Sequence, residues 1–571
     1  MEQALAFRAN LMGIDLPLQV GRSQTFVSEV HKPIGYVLKF AKLRPRTVPS
    51  QRIGRLLRDE HLRAVGYAMA DPNLAAVFQD FQKYSYSPVE EVNLPRTAVQ
   101  WVIGTIVDML SPALVGADLS PWSVPYAMEH MAKNTSPGHP WTSAFKDKRA
   151  WCNAGLDYDA ILTFLFATKL CFWNVSFKEE IRPLEKLKAN KARSFMSGPV
   201  EENLACLVIF GALLSQIVDD WRTLPITYGI NPRRRGWDFL VRRFRGKRCF
   251  AIDFSRFDGS LVRFLFWVTC EILKKLVPDG PTPWGCSVHE AITSIILMQV
   301  SGPCVFSNGM VVQKENGNPS GSGLTIFVNC VIQLILVLLY LHICHQVDEL
   351  DLEQFELQVH GDDGRHGASE DFIGCLNFDD MNAFYRSIGW PVEVTSDFTD
   401  AKPPEDLVFL SHKTVSWNNV FVPVPEDPLK LIASAELRNA DALPEDVDED
   451  AYLLARLVQI TNELVFCEEF DAMERVCLRF IREVEAERPS IKNDVSWAAA
   501  KRHIKQKHVL VSSYVDLDPL VLEQTKMVDQ LDVRCVRDAQ RISRVLKDAW
   551  SPCENSLGEY FTPESSYDVS T

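Results

Sequence analysis

FELQVHGDDG, residues 355–364, alternates apolar and polar side chains over its first five positions and then breaks at two aspartates flanked by glycines. A period of two marks a strand, and Gly and Asp suit a tight hairpin, so the stretch predicts a strand entering a turn at 361–364. Taken alone, such a turn is ordinary. It gains weight from CFAIDFSRFDGS, residues 249–260, where apolar Cys249–Ile252 predicts a buried strand with Asp253 at its end. A strand ending in Asp253 beside a hairpin presenting Asp362 and Asp363 gathers three carboxylates. Like charges that close raise one another's pKa, so the cluster is unfavourable unless cations neutralise it. Magnesium prefers oxygen ligands and leaves positions for phosphate and water, and two such ions about 3.5–4 Å apart serve phosphoryl transfer.

A third stretch, NPSGSGLTIFVN at 318–329, adds a flexible Ser/Gly loop followed by an apolar run carrying Thr325 and Asn329. These two lie four apart and share one face of a helix. Together the three stretches resemble the palm motifs A (AIDFSRFDGS), B (NPSGSGLTIFVN) and C (VHGDDG) of the RNA-dependent RNA polymerases of picorna-like and calici-like RNA viruses, in the family's order. The resemblance implies an α+β fold shaped as a right hand: fingers, a palm of antiparallel sheet backed by helices, and a mainly helical thumb. It also implies RNA-templated RNA synthesis, with Asp253, Asp362 and Asp363 as catalytic residues and ligands of two Mg2+ ions, Mn2+ being a substitute. Asp258, Ser320, Thr325 and Asn329 would recognise the ribose hydroxyls. A site built around a 2′-hydroxyl loses a hydrogen bond when that group is missing. Reverse transcriptases usually carry a bulky aromatic near the Asp258 position, so Asp258 favours ribonucleotides.

KEEIRPLEKLKANKAR, 178–193, resembles the family's fingers motif F, with Lys178, Arg182, Lys186, Lys191 and Arg193 on its basic positions. An incoming triphosphate needs such charge, since guanidinium forks grip phosphate oxygens and lysine supplies a compact charge. The plain alternative for the segment is an exposed basic helix. NTSPGHPW, 134–141, looks like the template-guiding motif G and nominates Thr135, Ser136 and Gly138. GINP, 229–232, resembles a turn between motifs F and A. FLSHK, 409–413, looks like motif E, with Lys413 suited to a primer phosphate. RSIGWPVEV, 386–394, fits motif D loosely. The family's proton-donating lysine has no clear counterpart there, and Lys402 is the nearest candidate, several residues displaced.

The chain's 571 residues, 47% hydrophobic, suffice for a large multi-lobed enzyme. Net charge is −14, which at first opposes a nucleic-acid partner, yet basic residues concentrate at 178–193 and 233–248 and acidic ones at 436–454. A positive cleft can coexist with a negative exterior because charges are screened beyond about 8–10 Å. The 14 cysteines include no C-x-x-C pair, which argues against a zinc module or disulfide framework and fits free thiols in a reducing compartment. No secretory signal is read at the N-terminus. His342, Cys344 and His345, with His360, lack a suitably spaced fourth zinc ligand. No P-loop is present, and Ser320 and Ser322 lack the context of a hydrolase nucleophile.

Helices are expected over 52–70, 429–441, 450–487 and 518–549. TIFVNCVIQLILVLLYLHIC, 325–344, long enough for a membrane span, reads as a buried core helix because Asn329 and Gln333 interrupt it. The expected division is fingers 1–212 with 289–317, palm 213–288 and 318–415, and thumb 416–571, ending in a mobile tail at 551–571 that could fold back toward the cleft. Expected partners are template and product RNA, ribonucleoside triphosphates and other viral replication proteins or capsid, with no integral membrane span. The expected location is the host cytoplasm or the virion. Three rival classes remain: a reverse transcriptase, a non-catalytic RNA-binding scaffold and a membrane protein.

Overall fold

The computed structural model describes residues 18–19, 33–37, 45, 47–62, 66–85, 94–395, 400–439 and 448–493. The region 518–549, expected to be helical, and the tail at 551–571 lie outside the described residues.

Four antiparallel strands form the central sheet: β1 (Arg248–Phe254), β2 (Phe355–His360), β3 (Asp363–Ala368) and β4 (Val394–Thr395), in the order β2-β3-β1-β4. FELQV forms β2, although Gln358 is as buried as its apolar neighbours, and β2 and β3 pair in register from Phe355↔Ala368 to His360↔Asp363. Only Gly361 and Asp362 are left for the loop, with Gly361 at φ 65°. A two-residue hairpin whose first loop residue has positive φ is the II′ pattern, which glycine alone adopts without strain.

Behind this sheet lies the helix Thr325–His345, buried without interruption from Phe327 to Leu341. It packs against the helices Arg96–Leu110 and Arg263–Leu276 and against β2. A helix apolar on every side belongs in such a core. Three helical stretches, Arg96–Leu114, Val200–Asp219 and Thr325–His345, are long and apolar enough to cross a membrane by length and composition. The third has its apolar surface met by protein.

A second sheet of six strands has the order 18–19, 33–37, 310–313, 303–305, 173–178 and 193–197. The strands Trp173–Lys178 and Arg193–Ser197 bracket the basic segment, which is therefore two strand ends, a short strand at Ile181–Pro183 and a one-turn helix at Leu184–Lys188. An exposed basic helix is not what forms. Beyond the central sheet, the hairpin His412–Trp417/Val420–Pro425 packs on the helix Trp237–Arg242 through Phe421, and Trp237 Nε1 donates to Thr414 Oγ1 at 3.0 Å.

Two sequence-based helices are shorter than expected. The expected 52–70 helix spans Gln51–Asp59, capped by Ser50, and Tyr67–Met69 is a strand paired to Ile181–Pro183. The expected 429–441 helix is Pro428–Ala435, followed by the strand Leu437–Asn439, which pairs with Thr47–Pro49. In both, an apolar helical face continues smoothly into strand residues, and distant partners decide where the helix stops. The 450–487 region forms two helices, Glu449–Glu463 and Phe470–Glu487, which share one core with Ile53, Leu56, Leu57 and Leu62. The early 51–62 segment thus packs with the C-terminal helices.

Candidate active site

The β1–β3 ladder runs from Arg248↔Ala368 to Ile252↔Gly364. Continued by one residue, it sets Asp253 beside Asp363, with both side chains on one face of the sheet. Asp362 follows from the hairpin loop. Asp253 and Asp362 are exposed and Asp363 is half-buried. Burial, then the charges of Asp362 and Asp253, push the Asp363 carboxyl up to about 8. The three acids therefore act on one another. Gln333, on the buried helix, supports the turn: with its amide oriented to satisfy both ends, its NH2 donates to the Asp363 carbonyl at 3.2 Å and its oxygen accepts from Gly364 N at 3.3 Å.

The donor set is all oxygen, which suits a hard divalent cation. Among the described residues, no three Asp, Glu, His or Cys side chains are grouped closely enough to hold a metal ion by themselves. Magnesium is usually held by one or two carboxylates completed by substrate phosphates and water, so open carboxylates fit that ion.

Asp258 sits on the turn after β1, and Asn329 Nδ2 donates to its Oδ1 at 3.0 Å. Asn329 Oδ1 in turn accepts from Asn318 Nδ2 at 2.8 Å. The Asn318 backbone N–H donates to the Asp258 carbonyl at 2.8 Å. Burial, then the Asp362 charge, raise Asp258 above the usual carboxylate range. Thr325 and Ser320 are not drawn into this pair. Thr325 Oγ1 donates to Pro319 O at 2.7 Å and Ser322 O at 3.1 Å, and Ser320 Oγ accepts from Met196 N at 3.4 Å. They shape the loop above the Asp258–Asn329 pair. The loop is anchored below by buried Glu202, which accepts from Ser322 Oγ at 2.6 Å.

Of the basic residues, Lys178, Arg182 and Arg193 gather around Glu180, at 3.9, 3.1 and 2.7 Å. Burial alone would raise Glu180. The Arg193 hydrogen bond and the three cationic charges outweigh it and hold the carboxyl low. The charge of Asp362 contributes to raising Arg193, and that of Lys178 acts to lower Asp258. Lys186 and Lys191 stay outside this cluster, exposed on the short helix and the turn after it.

At the 134–141 loop, Ser136 Oγ accepts from Gly138 N at 3.2 Å, and Thr135 O accepts from Lys148 N at 2.9 Å. Gly138 has φ +72° and a Cβ there would lie 2.6 Å from Pro199 Cα. Lys413 is exposed on the first strand of the 412–425 hairpin. Lys402 exchanges backbone hydrogen bonds with Cys249, at 2.8 and 2.9 Å. That is four residues along β1 from Asp253, roughly 13 Å at the usual strand rise. The lysine's backbone therefore lies at the far end of the strand. His342 Nδ1 donates to Val347 O and its ring stacks on Trp101, and His345 bonds Tyr340, so these histidines have structural partners. All cysteines among the described residues are free thiols.

Sequence reasoning passed over two residues here. Asn318 opens the quoted NPSGSG stretch yet carried no assignment, and its only signal is a second amide eleven positions before Asn329. Glu180 is an acid inside a basic segment. That oddity is the clue that it organises its neighbours.

A sequence profile described as viral RNA-dependent RNA polymerase matches residues 65–456, well over half of the chain. Genome polyproteins of Soybean mosaic virus (strain N) and Plum pox potyvirus (isolate NAT) are 27% identical over 276 residues and 28% over 278. Each match covers 48% of this chain, which spans 8% of the length of those relatives. Among solved structures, the Sicinivirus 3Dpol RNA dependent RNA polymerase is similar with TM-score 0.62 and 17% identity, over 81% of this chain and 97% of that one. That likeness carries the fold: a right-hand polymerase of mixed helix and sheet.

Proposed function

The chain belongs to the viral RNA-dependent RNA polymerase family, and from that premise we propose that it extends RNA on an RNA template at the Asp253–Asp362–Asp363 cluster. The single observation that carries this is the sheet register, in which Asp253 lies beside Asp363 and next to exposed Asp362. Asp253 and Asp362 would hold two Mg2+ ions, with Asp363 assisting and Mn2+ as a substitute. Bound there, such ions lower the pKa of the attacking hydroxyl and offset charge on the departing pyrophosphate.

The chain's own groups do the rest. The primer 3′-hydroxyl forms the new bond to the α-phosphate while the α–β phosphoanhydride breaks and pyrophosphate leaves. Lys178, Arg182 and Arg193, held together by Glu180, would receive the triphosphate as a preset cationic surface, with Lys186 and Lys191 adding charge at its approach. Asp258 and Asn329 would face the ribose hydroxyls, beneath the loop set by Ser320 and Thr325. Thr135, Ser136 and Gly138 would guide the template, and Lys413 the primer backbone. Each of these roles rests on the resemblance together with the position of the residue. The division into fingers, palm and thumb is retained as a proposal, with 51–62 packing against the thumb.

In this reading the chain replicates and transcribes a viral RNA genome. Its ligands are template and product RNA and ribonucleoside triphosphates, its partners other viral replication proteins or capsid, and its location the host cytoplasm or the virion. The test is extension of a labelled RNA primer–template by purified protein, with and without Mg2+. Wild-type protein should extend with ribonucleotides only when the ion is present. Asp362→Ala should abolish extension while leaving RNA binding and the circular dichroism spectrum intact, because Asp362 is an exposed loop residue. Wild-type rates in that variant would refute the assignment.

A further inference from the structure

The structure assigns to Asn318 the part of a positioning residue for sugar selection, acting through Asn329 on Asp258. This deepens the proposed polymerase site and rests on that reading. The argument starts from what a carboxylate can do. An ionised Asp258 only accepts hydrogen bonds, so the Asn329 amide must turn its NH2 toward it. The Asn329 carbonyl then faces the other way and needs a donor. Asn318 Nδ2 is that donor, at 2.8 Å, and the same NH2 reaches Thr325 O at 3.3 Å. Turning the Asn318 amide over would put its oxygen against both acceptors. One orientation is therefore selected along the series Asn318 → Asn329 → Asp258.

Two further observations fit this role. Asn318 is fully buried and its Oδ1 accepts no hydrogen bond from the protein. An unsatisfied buried amide oxygen is costly, so the residue makes sense through its donor end. The backbone carrying it is also pinned. Lys314 Nζ, wholly buried, shares its three hydrogens among the carbonyls of Gln299, Val300, Asn316 and Gly317, the last three at 2.9, 3.1 and 2.7 Å. Gly317 at φ +78° then lies against Asp258 O and the Tyr84 ring, where a Cβ would be 2.5 Å from each. The ammonium fixes the two residues before Asn318, and Asn318 fixes the amide that addresses the ribose-facing carboxylate.

The experiment is single-nucleotide incorporation on an RNA primer–template, with kcat/KM measured for a ribonucleotide and its 2′-deoxy counterpart. Wild type is compared with Asn318→Leu, Asn318→Ser, Asn329→Ala and the Asn318→Leu/Asn329→Ala pair. Neither Leu nor the short Ser hydroxyl can donate to Asn329 Oδ1. Loss of one orienting hydrogen bond should lower the ribose-over-deoxyribose ratio about tenfold. The pair should be no less selective than Asn329→Ala alone, since both act through one amide. A defect of folding or RNA binding lowers both nucleotides alike and leaves the ratio unchanged. Should the Leu variant not fold, the Ser variant decides. An unchanged ratio in the folded Asn318 variants, or full additivity in the pair, overturns the role of Asn318 while wild-type selectivity stands. Wild-type protein that incorporates neither sugar overturns the polymerase reading and this inference with it.

Discussion

Replacing Arg365 by Met should loosen the hairpin that carries Asp362 and Asp363. Arg365 lies two residues beyond Asp363 on β3 and is fully buried. Its Nε and Nη2 donate to Gln358 Oε1 at 3.0 and 2.6 Å, and its Nη1 donates to Pro404 O at 3.3 Å. Gln358 is its direct cross-strand partner on β2. The guanidinium is sandwiched between the Phe244 and Phe409 rings, 4.9 and 5.0 Å from their centroids. Methionine fills the space but donates nothing. Two buried acceptors lose their donors at about 1–3 kcal/mol each, and the ring contacts are worth about 1 kcal/mol more after the thioether's own packing. The sum is about 4 kcal/mol, close to the cost of breaking other buried charged contacts. Since about 1.4 kcal/mol is a factor of ten, amide hydrogen exchange in a peptide covering 355–368 should speed up about 10³-fold. Removing one of the two stranded acceptors as well, in Arg365→Met/Gln358→Leu, should recover about tenfold of that protection. Exchange within threefold of wild type in the single variant, or no recovery in the pair, would refute the reasoning.

Two further outcomes concern pH and backbone. Burial pushes His366 down to about 3 from 6.5; the unfolded chain thus takes up its proton first, and stability complete above about pH 6.5 falls as pH drops toward 3, by up to ~1.4 kcal/mol per unit. His366→Asn should flatten a plot of denaturation midpoint against pH between 4 and 6.5 by about one proton; an unaltered slope would show that His366 is not the group titrating. At Gly138, with φ +72° and backbone atoms 2.6 and 2.7 Å from any added Cβ, substitution by Ala should cost at least ~2 kcal/mol. Thermal unfolding measures it, and a melting temperature within a degree of wild type would contradict the packing described.

The central sheet was legible because its signals are local. The alternation of FELQV, the Gly361 turn and the apolar approach to Asp253 each act within a few residues, and the structure forms them where the sequence predicts. The all-round apolarity of 325–344 likewise had one economical explanation in a core. The helix ends at Asp59 and Ala435 were not legible. Tyr67–Met69 and Leu437–Asn439 become strands because of partners more than a hundred residues away, which no window of sequence contains. The site divides in the same way. Asp253, Asp362 and Asp363 could be gathered from a strand and a turn, whereas the Asp258–Asn329 pair depends on an amide orientation. Thr325 shares a helical face with Asn329 as expected, but its hydroxyl bonds the preceding loop, since a Thr at a helix start finds free carbonyls nearer than Asp258. Glu180 was hidden by its company: a count of basic residues over 178–193 does not reveal that one acid pulls three of them together.

The short stretch 47–69 has a topological consequence. Thr47–Pro49 joins Leu437–Asn439, Gln51–Asp59 is embedded among the C-terminal helices, and Tyr67–Met69 joins Ile181–Pro183. Tyr67 also hydrogen-bonds Asp427. From 181–183 the path returns through the six-stranded sheet to the 320–323 loop by the Ser197↔Gly321 bridge. Cutting the chain within 47–69 would therefore loosen the C-terminal helices and the 181–183 strand together, although these lie far apart in sequence.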